Sequence, residues 1–384
     1  MCRSRRPAMN DDYLASRSRR TLLRATGAGA MGVLSGALLG PSHLAWAEPL
    51  TGAVPTVDKL SIRVVTDSSY SALLPGGRTG AVDIVRFGLP LSPSYAPGRT
   101  LENEWGLSLL AHSTQGAQSR QVLIDFGYTP GTLNNNLDLL KIDPAQLDAL
   151  LLTHGHYDHF GGMVGSLQNN RGKLKAKLPI YLGGEECFCT RENRGGQFGS
   201  LDRQAMRDAG LVITFAERPA IVADHAFTTG WIDQMTFEKP INPSVMTAGM
   251  RDGVGCAADK LPTAKQNVTS IADDFQHEQS TAYLVKDRGL VVLTSCAHRG
   301  VLNSVRMAMK VSGVAKVHAI IGGFHLTPQP LEYQQKTVDE LKAIDPDYLI
   351  PMHCSGQTFY TMASQGLPGK VLLSSTGTQF TFGA

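Results

Sequence analysis

The sequence predicts a single α/β domain of the α+β type, and three observations support this. Short apolar runs alternate with amphipathic stretches along residues 48–384, a pattern typical of strands packed against helices. A cluster of metal-ligating side chains directly follows one apolar run, residues 149–152. In the last third of the chain, three more apolar runs each lead into a histidine. No fixed-period repeat or low-complexity linker divides the chain, so we expect one domain.

Individual elements follow from the length and periodicity of these runs. Strands are predicted at 60–65, 107–110, 121–125, 178–182 and 211–215, and a hairpin at 281–295 that turns at 287–289. Helical or turn-like structure is predicted at 133–140, 144–148, 301–310 and 331–344. The Gly- and Arg-rich stretch 189–200 and the polar stretch 238–274 are expected to be irregular.

The metal-ligating cluster consists of His154, His156, Asp158 and His159. Imidazole and carboxylate groups suit Zn²⁺, with Mn²⁺ or Fe²⁺ as alternatives. A loop this short can present His154 and His156 to one ion while Asp158 and His159 turn to a second. A solvated polar loop is the other interpretation, but random loops rarely concentrate this set of ligands.

Three further histidines, His298, His325 and His353, stand at or just beyond the ends of predicted strands. In a strand-helix-strand arrangement the carboxyl ends of the strands lie side by side, so these side chains can converge. We therefore expect them to complete the metal site. The remaining histidines of the domain are expected to pack or to form hydrogen bonds: His112, His225, His277 and His318.

The loop sequence, followed by Gly161 and Gly162, resembles the HxHxDH signature of the metallo-β-lactamase superfamily. The resemblance implies a four-layer αββα sandwich with metals at one edge of two facing sheets, and hydrolysis as the commonest activity. Residues 58–360 resemble more narrowly the branch of dihydropterin ribofuranosylaminobenzene phosphate synthase-like proteins. The segments that carry this narrower resemblance are 104–108, 123–127, 295–300, 322–326 and 351–356.

The resemblance also implies roles for individual positions. His154 and His156 correspond to ligands of a first metal, and Asp158 and His159 to ligands of a second. His298 and His353 complete the two sets. Asp125 corresponds to an aspartate that supports the metal loop by hydrogen bonding, outside the ligand sphere. Such supporting carboxylates orient imidazoles and raise their basicity.

The sequence departs from the family pattern at the aspartate that bridges two metals in many members. No aspartate follows either late strand, and Cys296 or His325 stands there instead. Cys296 is placed with Asp125 outside the ligand sphere, with a thiolate ligand and a small buried residue as the alternatives. His325 is either a further ligand or a donor to a leaving group. One or two divalent ions are therefore expected.

The function predicted from these features is metal-dependent hydrolysis of a phosphoester, an ester or a lactone. Metal coordination lowers the pKa of water from 15.7 to about 7, which makes hydroxide available at neutral pH. Asp158 and His325 are the candidate catalytic side chains, for positioning water and for protonating the leaving group. The branch resemblance implies a synthase-like transferase as the first alternative. The missing bridge allows a second alternative, a non-catalytic metal-holding binding protein.

Residues 1–47 are predicted to form a twin-arginine export signal. Arg19 and Arg20 precede a glycine-rich apolar stretch at 25–39, and small residues allow cleavage after Ala47. A membrane anchor is the alternative, but the stretch is short for a span of about 20 residues. We therefore expect a periplasmic protein that the twin-arginine machinery exports and that has no stable anchor.

The charge of the chain depends on this signal. The signal carries seven Arg and two Asp, so the remaining chain has 29 basic and 31 acidic residues and is near neutral. Nucleic acid is therefore not expected as a partner, and a small molecule is expected as the substrate.

The segments 185–200 and 238–274, which include the two polar stretches, are expected to determine substrate choice, because long loops beside a rigid site often form its walls. Arg191, Arg194 and Arg251 lie in them and either meet a phosphate or carboxylate or remain solvated. Residues 48–384 contain an odd number of cysteines, so at least one thiol should stay free or bind metal. Cys187 and Cys189 are too close for an easy mutual disulfide, and one of them is a candidate partner for Cys256.

Overall fold

A computed structural model describes residues 44–46, 50–88, 98–241 and 244–383, with only the backbone of 44–46. The described residues belong to one compact unit, Ser42–Ala384. The predicted export signal lies outside the described residues, except for Leu44–Trp46. Within the described ranges, no helix has the length and apolar character needed to cross a membrane.

The described chain forms strands of two to eight residues and helices of four to fourteen. The strands are β1 Leu44–Trp46, β2 Thr56–Val57, β3 Lys59–Thr66, β4 Gly77–Thr79, β5 Val82–Val85, β6 Ser108–Gln115, β7 Gln118–Ile124, β8 Ala149–Leu151, β9 Pro179–Leu182, β10 Thr190–Asn193, β11 Gly196–Gly199, β12 Val212–Phe215, β13 Ala220–Val222, β14 Ala226–Thr228, β15 Val245–Thr247, β16 Gly249–Arg251, β17 Val254–Cys256, β18 Ser270–Ala272, β19 Thr281–Val285, β20 Gly289–Leu293, β21 Val317–Gly322, β22 Tyr348–Pro351 and β23 Gln379–Gly383. The α-helices are α1 Pro130–Leu139, α2 Tyr157–Phe160, α3 Met163–Asn169, α4 Arg203–Asp208, α5 Val301–Ser312, α6 Leu331–Ile344 and α7 Gln357–Gly366. Short 3₁₀-helices lie at Pro144–Gln146, Glu185–Phe188, Ala258–Lys260, Thr263–Lys265 and His353–Ser355.

Two large sheets carry the site. The first has ten strands in the order β1-β12-β9-β8-β7-β6-β3-β23-β5-β4, and its β7, β8, β9 and β12 run parallel. The second has seven strands, ordered β13-β14-β19-β20-β21-β22, with β2 paired to β19. Its β20, β21 and β22 also run parallel. Each sheet therefore brings the carboxyl ends of several strands to one edge.

The sheets face each other and helices cover their outer surfaces. Leu151 and Val291 belong to the apolar core between the sheets, whereas their chain neighbours Leu150 and Val292 belong to two outer cores. Leu150 shares its core with α1 and α3, and Val292 shares the other with α5, α6 and α7. Strands covered on both faces must be continuously apolar, which explains runs such as residues 149–152. This is the predicted αββα arrangement, and the fold-class prediction is confirmed.

Most predicted elements form, but the two polar stretches are not irregular. Residues 190–199 form the hairpin of β10 and β11, which joins β15 and β18 in a four-stranded small sheet. The strands β16 and β17 form a separate pair. These strands have three or four residues each, too few to establish a hydrophobic period, so pairing with distant segments decides their conformation.

A disulfide joins Cys189, at the start of the small-sheet hairpin, to Cys256 in β17. One of the two closely spaced cysteines was expected to make this bond. Cys187, Cys296 and Cys354 are free and buried among the described residues. The disulfide therefore links the segment that follows β9 to β17, which lies within the second polar stretch.

Removing this disulfide is expected to destabilise the protein by about 4 kcal/mol, because the bond closes a loop between cysteines 67 positions apart. The double variant Cys189→Ala/Cys256→Ala should show this loss in denaturant unfolding. Reduced wild-type protein should unfold at the same denaturant concentration as the variant, and the variant should not respond to reductant. Equal stability of the oxidised and reduced wild-type protein would contradict the expectation.

Candidate metal centre

The predicted ligands lie at the carboxyl ends of strands from both sheets. The loop with His154 and His156 follows β8 of the first sheet. His298, His325 and His353 follow β20, β21 and β22 of the second. Five of the predicted ligands line one pocket of about 300 Å³ together with aromatic and polar side chains, whereas His154 and His159 lie outside its lining. The pocket is lined by Trp105, Tyr128, His156, Tyr157, Asp158, Asn193, Phe198, Ser244, Cys296, His298, His325, His353 and Cys354.

Two glycines allow the metal loop to pack tightly on the first sheet. A Cβ atom on Gly161 would lie 2.2 Å from the carbonyl oxygen of Tyr128, and one on Gly162 would lie 2.2 Å from that of Phe126. Both approaches are to backbone, which cannot move aside cheaply. The glycine pair of the motif therefore has a packing role, and it lets the short helix α2 begin directly after His156.

Several residues after the strand ends have left-handed backbone. The φ angles are 57° at Asp125, 53° at Ala297, 46° at His325 and 51° at His353. Such conformations cost about 1–3 kcal/mol each in non-glycine residues and concentrate at functional sites. Here they occur where the chain leaves β7, β20, β21 and β22, so the strain accompanies the placement of site residues.

The first group of candidate ligands is His154, His156 and His298, whose ligating atoms lie within 4.8 Å of one another. All three side chains are buried. Burial and neighbouring imidazoles hold the pKa of His154 and His298 well below 6.5, and burial also lowers the pKa of His156. These imidazoles are therefore neutral at pH 7, the form that binds metal.

His298 is held rigidly although neither of its ring nitrogens has a partner among the described residues. Its ring stacks on Phe275 at a centroid distance of 3.8 Å and an interplanar angle of 4°. Glu278 accepts the backbone N–H groups of His298 and Arg299, at 2.8 and 2.7 Å. Burial raises the pKa of Glu278 to about 7.

The second group is Asp158, His159 and His353, again with ligating atoms within 4.8 Å of one another. Asp158 Oδ2 lies 3.6 Å from His159 Nε2 and 3.4 Å from His353 Nε2. Burial disfavours a charged imidazole at His159, but Asp158 and Asp125 outweigh it and raise the pKa to about 10. At His353 burial is likewise outweighed, by Cys354 and Asp158, so its pKa is raised. Without a cation, protonation of the His159 and His353 imidazoles favours their contacts with the Asp158 carboxylate.

Asp125 supports this arrangement, as the resemblance implied. Its carboxylate is fully buried and accepts the backbone N–H and the hydroxyl of Thr153, both at 2.8 Å. It also accepts a hydrogen bond from Ser295 Oγ, and it lies 2.8 Å from His159 Nδ1. With Nδ1 engaged, Nε2 of His159 is directed towards Asp158 and Cys296.

Two further aspartates support the candidate ligands, and neither was predicted from the sequence. Asp67, buried at the end of β3, accepts the backbone N–H of His353 at 3.0 Å. Asp273 lies 3.6 Å from His156 Nε2 and is paired with Arg191 at 2.7 Å. Asp67 had a usable signal, since it follows a strand as Asp125 does. Asp273 had none, because it lies in a polar stretch without periodicity.

Two thiols and His325 complete the pocket. Cys296 Sγ lies 3.2 Å from His159 Nε2 and 3.3 Å from Cys354 Sγ. The His325 ring lies 4.0 Å from that of His298, and its Nδ1 has no partner among the described residues. The structure thus places Cys296 among the candidate ligand atoms, which favours the alternative of a thiolate ligand over a place outside the ligand sphere.

The three arginines of the polar stretches differ in their environments. Arg191 is fully buried and bound to Asp273, so it cannot meet a substrate, and that alternative is wrong. Arg194 and Arg251 are exposed. The remaining histidines form hydrogen bonds as expected, with Ser119, Ser113, Arg191 and Asp347 as partners of His112, His225, His277 and His318.

The donor set fits divalent cations. Buried polar atoms normally have a hydrogen-bond partner, and exceptions require an explanation. Among the described residues, buried ring nitrogens without a partner occur at His154 Nε2 and at both nitrogens of His298 and His353, and one each at His225, His277, His318 and His325. His298 and His353 are the residues with both nitrogens unpartnered, and with His154 they belong to the two candidate ligand groups, where cations would supply the missing partners.

Metal affinity is expected to depend on pH differently at the two groups. In the second group a cation must displace protons from His159, whose pKa is about 10. Affinity there should rise with pH, about tenfold per pH unit for each proton displaced. The first group is already neutral above pH 6.5, so its affinity should change little. Zn²⁺ titrations against a competing chelator between pH 6.5 and 8.5 test this, and equal slopes for both equivalents would contradict it.

The same shift has a consequence for the metal-free protein. The folded-state pKa of His159 lies above its unfolded value, so its contribution to stability is fully present below about pH 6.5. That contribution is lost as the pH rises towards 10. Metal-free protein should therefore become less stable across this range.

Comparison with known proteins identifies the class to which this fold and site belong. A sequence model of the metallo-beta-lactamase superfamily matches residues 116–171, which include the loop with His154, His156, Asp158 and His159. A solved structure described as a metal-dependent hydrolase of the beta-lactamase superfamily superposes with a TM-score of 0.60 at 21% identity. The superposition covers 83% of this chain and 98% of that chain. The chain has the metallo-beta-lactamase fold and carries the metal-loop segment of that superfamily.

Curated relatives give a narrower likeness. The chain is 26% identical over 263 residues to the 7,8-dihydropterin-6-methyl-4-(beta-D-ribofuranosyl)-aminobenzene-5'-phosphate synthase of Methanocaldococcus jannaschii. This match spans 66% of the present chain and 82% of the relative. An uncharacterized protein of the same organism is also 26% identical, over 64% of this chain and 84% of its own length.

Proposed function

We propose that this protein is an exported metal-dependent hydrolase that cleaves an ester, a lactone or a phosphoester. The observation that carries the proposal is that two groups of metal-ligating atoms open onto one pocket, which is large enough for a small molecule. Members of the superfamily are generally enzymes. Bound divalent cations would polarise the scissile bond and lower the pKa of a coordinated water.

The protein side chains have separate tasks in this reaction. Asp158 stays ionised because His159 and His353 hold its pKa well below the ordinary value, against the opposing effect of burial. As an acceptor in the pocket, its carboxylate orients the attacking water. His325, with Nδ1 unpartnered among the described residues, is placed to donate a hydrogen bond to the leaving group.

The walls of the pocket indicate the kind of substrate. Trp105, Tyr128, Tyr157 and Phe198 present aromatic surface, and the lining described above contains no Lys or Arg. A phosphoester would therefore depend on the cations alone for charge compensation. An ester or lactone with an apolar or planar group fits this lining better, and these substrates should be tested first.

Phe198 and Asn193 reach the pocket from the small sheet, and Ser244 precedes β15. The polar stretches therefore contribute a wall, which supports their proposed role in substrate choice. Variation at Phe198 should change KM for an aromatic ester more than kcat.

Hydrolysis is tested with purified protein that lacks residues 1–47, loaded with Zn²⁺ or Mn²⁺. We expect turnover of at least one chromogenic ester, lactone or phosphodiester, abolished by chelation and restored by metal. No turnover of any of these by protein shown to contain metal would overturn the proposal.

A synthase-like transferase is the second candidate, supported by the 26% identity to the archaeal synthase. A transferase would need two co-substrates and would form a new bond, so product analysis by mass spectrometry separates it from a hydrolase.

Periplasmic location is part of the proposal. The pair Arg19-Arg20 before an apolar stretch supports twin-arginine export, and the disulfide between Cys189 and Cys256 suits an oxidising compartment. In cell fractionation, Arg19→Lys/Arg20→Lys should keep the protein in the cytoplasm, whereas the unchanged chain should reach the periplasm. Equal distribution of the two would contradict export by this route.

A further inference from the structure

The position of Cys296 relative to the two ligand groups is the starting observation. In the part of the chain that the structure describes, five groups of three residues have ligating atoms within 4.8 Å of one another, and Cys296 belongs to three of them. One of its groups contains His154 and His159, which come from the first and the second ligand group respectively. The others contain His298 with His325, and His353 with Cys354. The Cys296 sulfur therefore lies near ligands of both cation positions.

The composition of the two ligand groups favours an anionic ligand at the position of the Cys296 sulfur. The two ligand groups contain five imidazoles and one carboxylate, Asp158. Two divalent cations with only that carboxylate would leave a large uncompensated positive charge in a buried site, which is costly. Asp125 and Asp273 lie behind the imidazoles, at 2.8 Å from His159 and 3.6 Å from His156, so neither can stand between the cations.

Cys296 is better placed for this role than its neighbour Cys354. The Cys354 sulfur already accepts the backbone N–H of His325 at 3.3 Å and lies 3.6 Å from the carbonyl oxygen of Cys296. The two sulfurs lie 3.3 Å apart, close enough to share one proton. In the metal-free protein, the contact with Cys296 and the neighbouring His353 outweigh burial and lower the pKa of Cys354, whereas burial raises the pKa of Cys296. A cation bound at Cys296 would reverse this order, and Cys354 would then carry the shared proton and donate it in a hydrogen bond to the Cys296 thiolate.

We propose that Cys296, as a thiolate, is the anionic ligand shared by the two cation positions. It would occupy the role that a bridging carboxylate has in related sites, and Cys354 would be its hydrogen-bond donor. The proton of the Cys296 thiol would pass to the Cys354 sulfur when metal binds, because coordination deprotonates thiols. The proposal rests on the proposed function only in requiring bound cations, and it holds whatever bond the enzyme cleaves.

The test uses Co²⁺-substituted protein, because a thiolate bound to Co²⁺ gives a charge-transfer band in the near ultraviolet. We expect the band in wild-type protein and its loss in Cys296→Ser. It should persist in Cys354→Ser and in Cys187→Ser, the latter being a buried thiol outside all five groups. The Cys296 variant should also lose affinity for one Co²⁺ equivalent by about tenfold or more.

A band that survives in Cys296→Ser would overturn the proposal, and a band lost only in Cys354→Ser would assign the ligand to Cys354 instead. Alkylation mapped by mass spectrometry keeps the proposal testable if the variant does not fold. In wild-type protein, metal should slow alkylation of Cys296 by about tenfold or more and leave Cys187 unchanged. Equal rates with and without metal would contradict a thiolate ligand. Failure of the hydrolase proposal would appear separately, as missing turnover with the band intact.

Discussion

His298→Ala is expected to lower kcat/KM for hydrolysis by more than about 100-fold and to remove one of two bound metal equivalents. Loss of a supporting residue alone typically costs 10–100-fold in affinity or activity, and His298 is a candidate ligand, so a larger effect is expected. The measurements are steady-state kinetics and metal analysis of the same preparation.

The same position should show an opposite effect on folding. In metal-free protein, the two unpartnered nitrogens of His298 are a desolvation cost of about 1–3 kcal/mol each. His298→Leu should therefore raise the free energy of unfolding of the metal-free protein while it abolishes activity. His318→Leu is the control, since His318 is also buried but has only one unpartnered ring nitrogen, Nε2, and its Nδ1 is bonded to Asp347 at 2.7 Å. That variant should be destabilised and should keep its metal.

A His298→Ala variant with wild-type metal content and activity would show that this histidine is not a ligand. Lower stability of metal-free His298→Leu than of metal-free wild type would contradict the interpretation of its unpartnered nitrogens. The two results are independent, because the first concerns the loaded protein and the second the metal-free protein.

Asp125→Ala is expected to have the second largest effect, through both metal affinity and folding. Its carboxylate has contacts with Thr153, His159 and Ser295, and the substitution would leave buried donors without an acceptor. Breaking a buried, charged network in this way typically costs about 3–5 kcal/mol. Metal affinity should fall by about 10–100-fold, because His159 loses the group that orients it.

The control for Asp125 is Asp148→Ala on the adjacent strand. Asp148 precedes β8 and accepts the backbone N–H of Gln121 at 2.8 Å, and it is paired with Lys175 near the surface. Its loss should cost about 1 kcal/mol and leave metal affinity unchanged. Chemical denaturation and Zn²⁺ competition titrations measure both quantities. Equal metal affinity in Asp125→Ala and wild type would remove Asp125 from the supporting role.

The sequence predicts best those elements whose own residues show a clear apolar run or a clear hydrophobic period. Residues 149–152 and the strands before His298, His325 and His353 are apolar, except for His318, because both faces are covered, and a polar ligand follows each strand. The helix α6, Leu331–Ile344, matches its predicted range because its apolar face has a clear period.

The parts that escaped prediction depend on contacts between distant segments. Asp67 meets His353 across 286 positions, and Ser295 meets Asp125 across 170. The small sheet pairs residues 190–193 with 245–247, in strands too short to carry a pattern. Arg191 was predicted either to meet a substrate anion or to remain solvated, but it is buried, and its ion pair is with Asp273, which lies 82 positions away.

The interpretation of Cys296 changes once its neighbours in the folded protein are known. In the sequence it is a small residue before a candidate ligand, at a place where an aspartate is missing. In the structure its sulfur lies 3.2 Å from His159 Nε2 and near ligands of both groups. The buried thiol of Cys296 therefore lies in the site from which the bridging carboxylate is missing.

The most direct test of this account is the metal content of purified protein, measured by elemental analysis after loading with excess Zn²⁺ and removal of free metal. The account predicts two equivalents per chain in the wild type and about one in His298→Ala. Less than one equivalent in correctly folded wild-type protein would contradict it, because no cation would then occupy the two groups of ligands.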